Sequence, residues 1–440
     1  MPLHYFLDPF GCAKNQVSAE NMMACLNSEG WENVPEAELA DLIIVNSCGF
    51  IESAKQESIN AVLAWRRLYP GKKILLAGCL AQRYAKDLAA ALPEADGFFG
   101  IDDLAGIAKA AARALTGKES AEYASQKKEA IHAGDRPLLS LPGSAYVKIS
   151  EGCNNRCSYC AIPLIWGGIK SRDIDGITEE CRMLIQRGVK ELCIVGQDIG
   201  SFAVDYNGAS MLPQLLQAIS RLEGHFWVRL LYIHPDHFPL SVIDIMENDA
   251  RFLPYFDIPF QHASAKILAA MNRRGTPEKY LNLIETIRGR LPSAVIRSTF
   301  LLGFPGETDG DFSQLLDFQE KAKLDWLGCF AYSREEGTAS YSMKGRVSKK
   351  TALLRKKIIE ERQVLITEKN MDRFTGQKLD VLIEEQIDNF WLGRLYCHAP
   401  EIDGAAVVNA GDTQPEFQAG SLVRCKVIAR RGFDLEVQPV

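Results

Sequence analysis

The stretch Cys153-Asn-Asn-Arg-Cys157-Ser-Tyr-Cys160 decides the fold. It follows a strand-like run, Ala145-Tyr-Val-Lys-Ile149, so the three cysteines lie in a loop after a predicted strand. Three thiolates at this spacing suit a soft metal or an iron–sulfur cluster. A 4Fe-4S cluster takes four cysteines when closed, so three leave one iron open to another ligand. A zinc site or a purely structural loop is the alternative, but zinc needs a fourth ligand and the motif contains none.

The bulk composition is that of a folded protein with several domains. The 440 residues are 47% apolar and 24% charged, and the length predicts two to four domains. The net charge of -6 gives no overall attraction to nucleic acid. The amino terminus has no basic region followed by an apolar stretch, and no apolar run approaches the length of a membrane span, so we expect a cytoplasmic protein without a membrane partner. Twelve cysteines then favour metal or redox chemistry over disulfides.

Residues 1–120 alternate short apolar runs with helical patterns, which predicts a doubly wound parallel sheet. The predicted strands are Tyr5–Leu7, Leu42–Val45, Lys73–Ala77 and Gly97–Phe99, and the predicted helices are Ser18–Glu29, Glu52–Leu68, Gln82–Leu92 and Leu104–Leu115. Residues 121–140 are polar and interrupted by proline, and we interpret them as a linker between domains.

Three cysteines lie at the predicted carboxyl ends of strands in this first domain. Cys12, Cys48 and Cys79 are far apart in sequence, but neighbouring strands are only about 4.8 Å apart and ligands bind beyond this edge of such sheets. Gly11, Gly49 and Gly78 would let the backbone approach closely. We therefore predict a second 4Fe-4S site with three cysteines. The alternative is three cysteines buried in the core, where this residue type is common.

Strands and helices alternate again from residue 141 to 371. The predicted strands are Ala145–Ser150, Glu191–Val195, Trp227–Ile233, Tyr255–Ile258, Val295–Leu302 and Leu327–Tyr332. Six β/α units are too few for a closed eight-stranded barrel. Polar groups follow several strand ends, namely Gln197-Asp198, His234 and Gln261-His262. Because an isolated histidine is more often structural, we name no catalytic residue beyond the cluster ligands.

The cysteine loop, with Tyr159 before its last cysteine, resembles the signature of radical S-adenosylmethionine (SAM) enzymes. The resemblance implies a partial (β/α)6 barrel in which Cys153, Cys157 and Cys160 hold the cluster that binds SAM. The segment Gly303-Phe-Pro-Gly-Glu307 is similar to the glycine-rich segment that packs against SAM in these enzymes. Tyr159, Gly303, Gly306 and Glu307 are therefore expected to bind the cofactor, although a Gly- and Pro-rich turn needs no ligand.

The first domain resembles that of the methylthiotransferase family. Phe10-Gly-Cys-Ala-Lys-Asn15 and Val45-Asn-Ser-Cys-Gly-Phe-Ile51 are similar to its motifs, which implies that Cys12, Cys48 and Cys79 hold an auxiliary 4Fe-4S cluster. The segment from Ile162 to Arg172 also resembles the family, but Trp166 stands where the family usually has arginine. We expect this difference to leave the cluster ligands unaffected and to put a substrate role of that position in doubt.

The remaining parts are predicted as follows. Helix Lys349–Asn370 is expected to present a solvated basic face that includes Arg355-Lys-Lys357. Residues 372–440 consist of short strands and turns, and they resemble the small antiparallel barrel called the TRAM domain. The other cysteines are expected in the core; they are Cys25, Cys181, Cys193, Cys329, Cys397 and Cys425.

The substrate is predicted from charge and from resemblance. Residues 372–440 hold 7 Lys and Arg against 11 Asp and Glu, a net charge of -4 that would repel a phosphate backbone unless a few arginines share one face. Ala399-Pro-Glu-Ile-Asp-Gly404 and Tyr332-Ser-Arg-Glu-Glu-Gly-Thr338 resemble the RimO branch, which acts on a ribosomal protein. That branch implies addition of a methylthio group to the β-carbon of an aspartate in small-subunit ribosomal protein number twelve. It also implies SAM as both radical source and methyl donor, and an electron donor of the flavodoxin or ferredoxin type.

Two other functions remain open from the sequence. The same chemistry could act on transfer RNA, at the adenosine beside the anticodon. A non-catalytic iron–sulfur or RNA-binding protein would use the C-terminal module as an adaptor, and it would not cleave SAM.

Overall fold

The computed structural model describes residues 2–117, 135–388, 390–409 and 417–440. The predicted linker lies outside the described residues up to position 134. Within the described ranges, no helix is both long and apolar enough to cross a bilayer.

The N-terminal domain is a five-stranded parallel sheet with strand order β2-β1-β3-β4-β5. All six side chains of the central strand β3 are buried, as expected for a parallel strand covered on both faces. The edge strand β2 was not predicted, because it has only three residues and buries only Trp31. The strands are β1 (Leu3–Pro9), β2 (Trp31–Asn33), β3 (Leu42–Ser47), β4 (Lys73–Gly78) and β5 (Gly97–Phe99), and the helices are α1 (Ala13–Ser28), α2 (Glu52–Leu68), α3 (Cys79–Ala91) and α4 (Ile107–Thr116).

The central domain is an open sheet of six parallel strands, which confirms the predicted partial barrel. Strand order is β13-β12-β11-β10-β9-β6, and β7 and β8 form a separate ribbon. Strand β10 ends three residues before the predicted end, because Tyr232 has a φ of 67° that interrupts an extended chain. The strands are β6 (Ser144–Lys148), β7 (Ser150–Glu151), β8 (Lys170–Ser171), β9 (Glu191–Val195), β10 (Trp227–Leu230), β11 (Phe252–Asp257), β12 (Val295–Leu302) and β13 (Trp326–Ala331).

Helices cover one face of this sheet. Alternate strand residues such as Val147, Ile194 and Leu230 pack against them in the largest apolar cluster of the described residues. The helices are α5 (Ile162–Ile165), α6 (Ile174–Gln186), α7 (Val204–Asn207), α8 (Leu212–Ser220), α9 (Ser241–Asn248), α10 (Ala265–Ala270), α11 (Pro277–Arg290), α12 (Asp309–Ala322) and α13 (Lys349–Met371).

The C-terminal domain is a closed five-stranded barrel in the order β14-β15-β16-β18-β17. Four of the five neighbouring strand pairs are antiparallel as predicted, but β16 and β18 pair in parallel, so the barrel is mixed rather than wholly antiparallel. The strands are β14 (Lys378–Ile387), β15 (Phe390–Arg394), β16 (Ala406–Val408), β17 (Leu422–Arg431) and β18 (Asp434–Pro439).

The C-terminal barrel packs against the face of the central sheet that the helices leave free. Tyr146, Trp227 and Trp326 of the sheet share an apolar cluster with Leu395 and Val427 of the barrel. The Trp326 indole donates a hydrogen bond of 2.8 Å to the carbonyl of Cys397. The barrel therefore packs on this face near the beginnings of the strands, since Trp227 and Trp326 are the first residues of β10 and β13.

A buried ionic network reinforces this packing. Glu191, at the start of β9, is fully buried between two arginines. Arg229 Nε lies 2.7 Å from Glu191 Oε1, and Arg394 Nη2 of the C-terminal barrel lies 2.5 Å from Glu191 Oε2. Arg394 Nε also lies 2.5 Å from Glu384 Oε1. The charges that hold the two domains together are thus paired and withdrawn from solvent.

Two polar clusters hold the N-terminal domain on the central domain. Arg136 is buried between Glu20 of α1 and Glu180 of α6 and forms ion pairs with both. On the other side, Glu335 lies 3.0 Å from Lys55 Nζ of α2 and 2.9 Å from Arg83 Nη1 of α3. Glu335 belongs to the segment that the sequence singled out as typical of one branch of the family, and here its carboxylate joins the two domains.

Candidate active site

The loop from Cys153 to Cys160 lies beyond the carboxyl end of β6. Arg156 adopts a φ of 50°, and the Asn272 side chain donates a hydrogen bond of 3.0 Å to its carbonyl. The Cys160 amide donates to the Cys157 carbonyl at 3.0 Å, and Ser158 Oγ donates to the Ala270 carbonyl at 2.8 Å. Contacts from α10 and the turn after it therefore fix the path of the loop.

The three thiols of this loop are half-buried and unpaired with one another. Burial raises the pKa of Cys153 to about 11 and that of Cys160 to about 12, so neither thiol ionises readily on its own. His234 Nε2 lies 3.9 Å from Cys157 Sγ, and burial lowers the pKa of this histidine to about 2, so it is neutral. The protein surroundings do not stabilise negatively charged thiolates here, whereas a bound metal centre would.

The second trio gathers at one edge of the N-terminal sheet, as the strand order predicts. Cys12 caps the N-terminus of α1 after β1, Cys48 follows β3, and Cys79 is the first residue of α3 after β4. Burial raises the pKa of Cys48 to about 11 and raises that of Cys79 further. Electrostatic repulsion from Cys12 contributes to the raised pKa of both thiols. Three thiols from three separate strands are thus neighbours.

Glycines permit this approach. A Cβ on Gly49 would lie 2.7 Å from the Cys79 carbonyl oxygen, and a Cβ on Gly78, which has a φ of 98°, would lie 2.6 Å from the Ser47 carbonyl oxygen. Both contacts are to backbone, which cannot move aside easily. Any larger residue at either position would push Cys48 and Cys79 apart.

The donor chemistry of both trios fits a cluster better than a single ion. Among the residues that the structure describes, no three His, Cys, Asp or Glu side chains are placed to hold one metal ion. In a 4Fe-4S cluster each cysteine binds a different iron, so the thiols need to lie near each other without converging on one point.

The two trios border the same space between the N-terminal and central domains. Lys14, two residues after Cys12, interacts electrostatically with both Cys12 and Cys160. On the other side of this space, Cys79 and Trp166 share a small apolar cluster with Ala161, the residue after Cys160. Residues from both loops therefore pack together around one cleft.

Trp166 lies beside Cys79, a predicted ligand of the auxiliary cluster, and shares an apolar cluster with it. The expectation that its replacement of arginine leaves the cluster ligands unaffected stays a prediction. Burial raises the pKa of the Cys79 thiol, and the Trp166 side chain is among the groups that oppose this rise. Lys148 Nζ lies 5.0 Å from the centre of the Trp166 ring. Trp166 is 5% exposed. The aromatic ring occupies the interior beside Cys79, so the position contributes to the surroundings of that thiol.

The glycine-rich segment forms one wall of a cavity of about 660 Å³ between the domains, which is lined by Gly303, Pro305, Tyr332 and, from α2, Ser53. Glu307 does not face this cavity as a free carboxylate. It accepts hydrogen bonds from the amides of Gly303, at 2.6 Å, and Phe304, at 3.2 Å. The segment is therefore held in shape by its own acidic residue.

Arg355 corrects the expectation of a solvated basic face on α13. Its side chain is 7% exposed, and its Nη1 lies 2.6 Å from Glu307 Oε1. Because burial raises the pKa of Glu307, this guanidinium and the two amides are what favour its ionised form. Two other predicted cofactor residues, Tyr159 and Gly306, lie nearby. Tyr159 is packed beside Phe304, with its hydroxyl 3.3 Å from Arg273 Nη2. Cofactor binding by these residues stays a prediction.

Several polar residues next to the cysteine loop were not predicted as a group. The Asn155 side-chain Nδ2 donates a hydrogen bond of 2.8 Å to Asp198 Oδ2, and its side-chain Oδ1 lies 2.8 Å from His237 Nε2. Asn155, His237 and His234 border a second cavity of about 350 Å³. The sequence placed His234 and Asp198 at strand ends, but no spacing signal connects them with Asn155. The six cysteines expected in the core are all buried.

Comparisons with known proteins agree with this architecture. The family model described as uncharacterized protein family UPF0004 matches residues 4–100, the radical SAM superfamily matches residues 147–318, and the TRAM domain matches residues 375–440. Ribosomal protein uS12 methylthiotransferase RimO of Treponema denticola is 45% identical over 99% of this chain and 100% of that protein. The protein of the same name from Syntrophomonas wolfei is 40% identical over 97% of both chains.

Solved structures share the fold at low identity. The radical SAM methyltransferase TsrM from Kitasatospora setae superposes with a TM-score of 0.55 at 14% identity, covering 75% of this chain and 73% of that one. The cobalamin-dependent SAM radical enzyme OxsB has a TM-score of 0.52 at 11% identity, covering 86% of this chain and 62% of that one. At these identities the likeness concerns the fold alone. The full-length similarity to the curated relatives, over all three domains, shows that the chain belongs to the RimO family of radical SAM methylthiotransferases.

Proposed function

We propose that this enzyme adds a methylthio group to the β-carbon of an aspartate in ribosomal protein uS12, the protein named in its relatives. The observation that carries the proposal is that two cysteine trios, from two domains, border one cleft. Membership of the superfamily implies one 4Fe-4S cluster and SAM. We assign that cluster to Cys153, Cys157 and Cys160.

We assign an auxiliary 4Fe-4S cluster to Cys12, Cys48 and Cys79. The neighbouring thiols at the sheet edge support this assignment, as do the glycines that let the strand ends approach. When bound, the two clusters and SAM supply the chemistry that no side chain can, namely removal of hydrogen from an unactivated carbon and delivery of sulfur to it.

The protein's own residues position the reacting groups and exclude water from them. Tyr159, Leu301 and Phe304 form an apolar cluster behind the cysteine loop, which excludes water from that side. Arg355 holds Glu307, and through it the amides of the glycine-rich segment, in one conformation. Glu335 fixes the position of the N-terminal domain by binding Lys55 and Arg83.

A protein substrate is favoured over transfer RNA by the pairing of the C-terminal arginines. All five already face carboxylates within 4 Å, in the pairs Arg373–Asp325, Arg394–Glu191, Arg424–Asp380, Arg430–Asp372 and Arg431–Glu436. Phosphate binding depends on cationic side chains that can release counterions. This domain offers few, which disfavours an RNA backbone and suits a basic ribosomal protein.

The test is a reaction of the anaerobically reconstituted full-length chain with uS12, SAM and a chemical reductant. We expect the mass of intact uS12 to rise by one methylthio group less one hydrogen, with fragments that locate the change at an aspartate. Cys79→Ala is the matched control, since it should cleave SAM and leave uS12 unmodified. Nucleoside analysis of transfer RNA treated in the same way covers the alternative, and modified adenosine with unmodified uS12 would overturn the proposal.

We further propose a flavodoxin- or ferredoxin-type protein as the electron donor in the cell, and a cytoplasmic location, because the proposed substrate is a ribosomal protein. A reduced flavodoxin or ferredoxin should replace the chemical reductant in the uS12 reaction. Turnover with the chemical reductant but with neither protein would contradict the choice of donor.

A further inference from the structure

Lys14 places a positive charge in the cleft between the two cysteine trios. Its Nζ lies 3.3 Å from the centre of the Tyr232 ring, so the ammonium sits on an aromatic face of the central domain. Its charge also interacts with Cys12 of its own domain and with Cys160 and Asp257 of the central domain. Ala13, the residue before Lys14, also packs in the same apolar cluster as Tyr232, so the lysine lies where the loop after Cys12 meets the central domain.

Within the described residues, this ammonium has no ion-pair partner. Other cations of the cleft are paired: Lys148 lies 2.7 Å from Glu151, and Arg297 lies 2.6 Å from Asp403. Asp257, the carboxylate that interacts with Lys14, lies 4.0 Å from Arg297 and is not within 4 Å of Lys14. A half-buried ammonium without an anion is unfavourable, so the position suits a cation that receives its anion from a ligand.

We propose that Lys14 binds the side-chain carboxylate of the substrate aspartate and thereby selects an acidic residue for modification. This inference rests on the proposed function. The β-carbon is bonded to the carboxylate carbon, so an ion pair with Lys14 would hold the reacting carbon where the loop after Cys12 meets the central domain. The Tyr232 ring keeps the ammonium in place without neutralising it. Lys14 is thus a specificity-determining residue of the same cleft.

A different role for Lys14 would be to balance the negative charge of cysteine thiolates in the loaded enzyme. The two roles differ in what they predict. If Lys14 balances thiolate charge, its loss should lower the iron content and weaken the binding of every substrate equally. If Lys14 binds the carboxylate, its loss should weaken only the binding of a substrate that carries this charge.

The test compares Lys14→Met with wild-type enzyme, using uS12 and uS12 with asparagine in place of the target aspartate. Affinity is measured by fluorescence anisotropy, and iron content, cluster spectra and substrate-free SAM cleavage are measured in parallel. A charge-assisted hydrogen bond in a desolvated site corresponds to about a 10- to 100-fold difference in affinity. We expect wild-type enzyme to prefer the aspartate form by that factor, and Lys14→Met to bind both forms equally with unchanged iron content.

Two variants serve as controls. Lys14→Arg keeps the charge and should keep most of the preference. Lys266→Met removes a cation that is already paired with Asp311 at 2.8 Å, and should leave the preference intact. A preference that survives in Lys14→Met, or a loss of iron in that variant with equal weakening of both substrates, would overturn the inference. Failure of wild-type enzyme to modify uS12 would instead overturn the proposed function, and this inference with it.

Discussion

Replacing Arg394 by methionine is expected to weaken the attachment of the C-terminal barrel to the central domain. The Arg394 side chain is 3% exposed, and it shares the fully buried Glu191 with Arg229. Removing one partner of a buried ion pair leaves a charge that lacks compensation, which costs about 3–5 kcal/mol. We expect the free energy of unfolding to fall by about that amount at neutral pH.

The pKa of Glu191 depends on the same ion pairs. Burial raises this pKa, but Arg394 and Arg229 outweigh burial and bring it from 4.5 to about 2. Because the folded pKa is the lower one, the stabilisation is complete above pH 4.5 and is lost as the pH falls towards 2. The direction of this shift shows that the two ion pairs together outweigh the cost of burying the carboxylate. Without Arg394 the pKa of Glu191 should rise, so protonation should relieve part of the deficit in acid.

Urea denaturation at pH 7.5 and pH 4, followed by near-ultraviolet circular dichroism, measures both effects. The deficit of Arg394→Met should be smaller at pH 4 than at pH 7.5. Arg424→Met is the matched control, because Arg424 is 54% exposed, pairs with Asp380 in the same barrel, and should cost less than about 1 kcal/mol. A deficit below about 1 kcal/mol for Arg394→Met, or one that grows in acid, would refute the assigned role of the network.

Three further predictions concern the clusters and the surfaces that position them. Cys160→Ala should abolish SAM cleavage and remove about half of the reconstituted iron, whereas Cys79→Ala should lose a similar amount of iron but retain some cleavage, as iron analysis and 5′-deoxyadenosine assays can show. Glu335→Gln leaves two cations without their carboxylate and should lower the free energy of unfolding by about 1–3 kcal/mol, measured by urea denaturation. Arg355→Met should raise the Kd for SAM about tenfold, because Glu307 then loses the guanidinium that holds the glycine-rich segment, and equilibrium dialysis measures this change.

Each of these predictions has a control variant or an outcome that would contradict it. Cys425→Ala alters a core cysteine of the C-terminal barrel that belongs to neither trio and should keep full iron content, so equal iron loss in all three cysteine variants would contradict the ligand assignment. Lys357→Met removes an exposed cation from the same helix as Arg355, and its Kd for SAM should equal that of wild type. For Glu335→Gln, stability equal to wild type would show that the carboxylate does not join the domains.

Local patterns were sufficient to predict the elements that carry the cysteines. Helix α2 spans the predicted residues, and β9 and β12 begin and end as predicted, because their apolar periodicities are long and regular. Strand order in a parallel sheet then brings Cys12, Cys48 and Cys79 to one edge. The meeting of these cysteines thus follows from topology and needs no knowledge of side-chain contacts.

Contacts between distant segments could not be predicted in the same way. Nothing in the sequence around Arg355 or Glu307 shows that they form an ion pair across 48 positions. The same holds for Glu191 and Arg394, and for the position of Lys14 on Tyr232. A run of charged residues on a helix predicts a solvated face. Arg355 is buried instead because α13 packs against the glycine-rich segment.

Because the six core cysteines are buried, chemical labelling of thiols can report on the proposed ligand cysteines. A thiol-alkylating reagent applied to the native apoprotein should react with Cys12, Cys48 and the cysteines of the Cys153 loop, while the six core cysteines and the buried Cys79 stay unreacted. Iron bound to either trio would shield its own set of peptides. Mass spectrometry of the alkylated peptides would then give the occupancy of each cluster individually. Absorbance and total iron content give only the sum of the two.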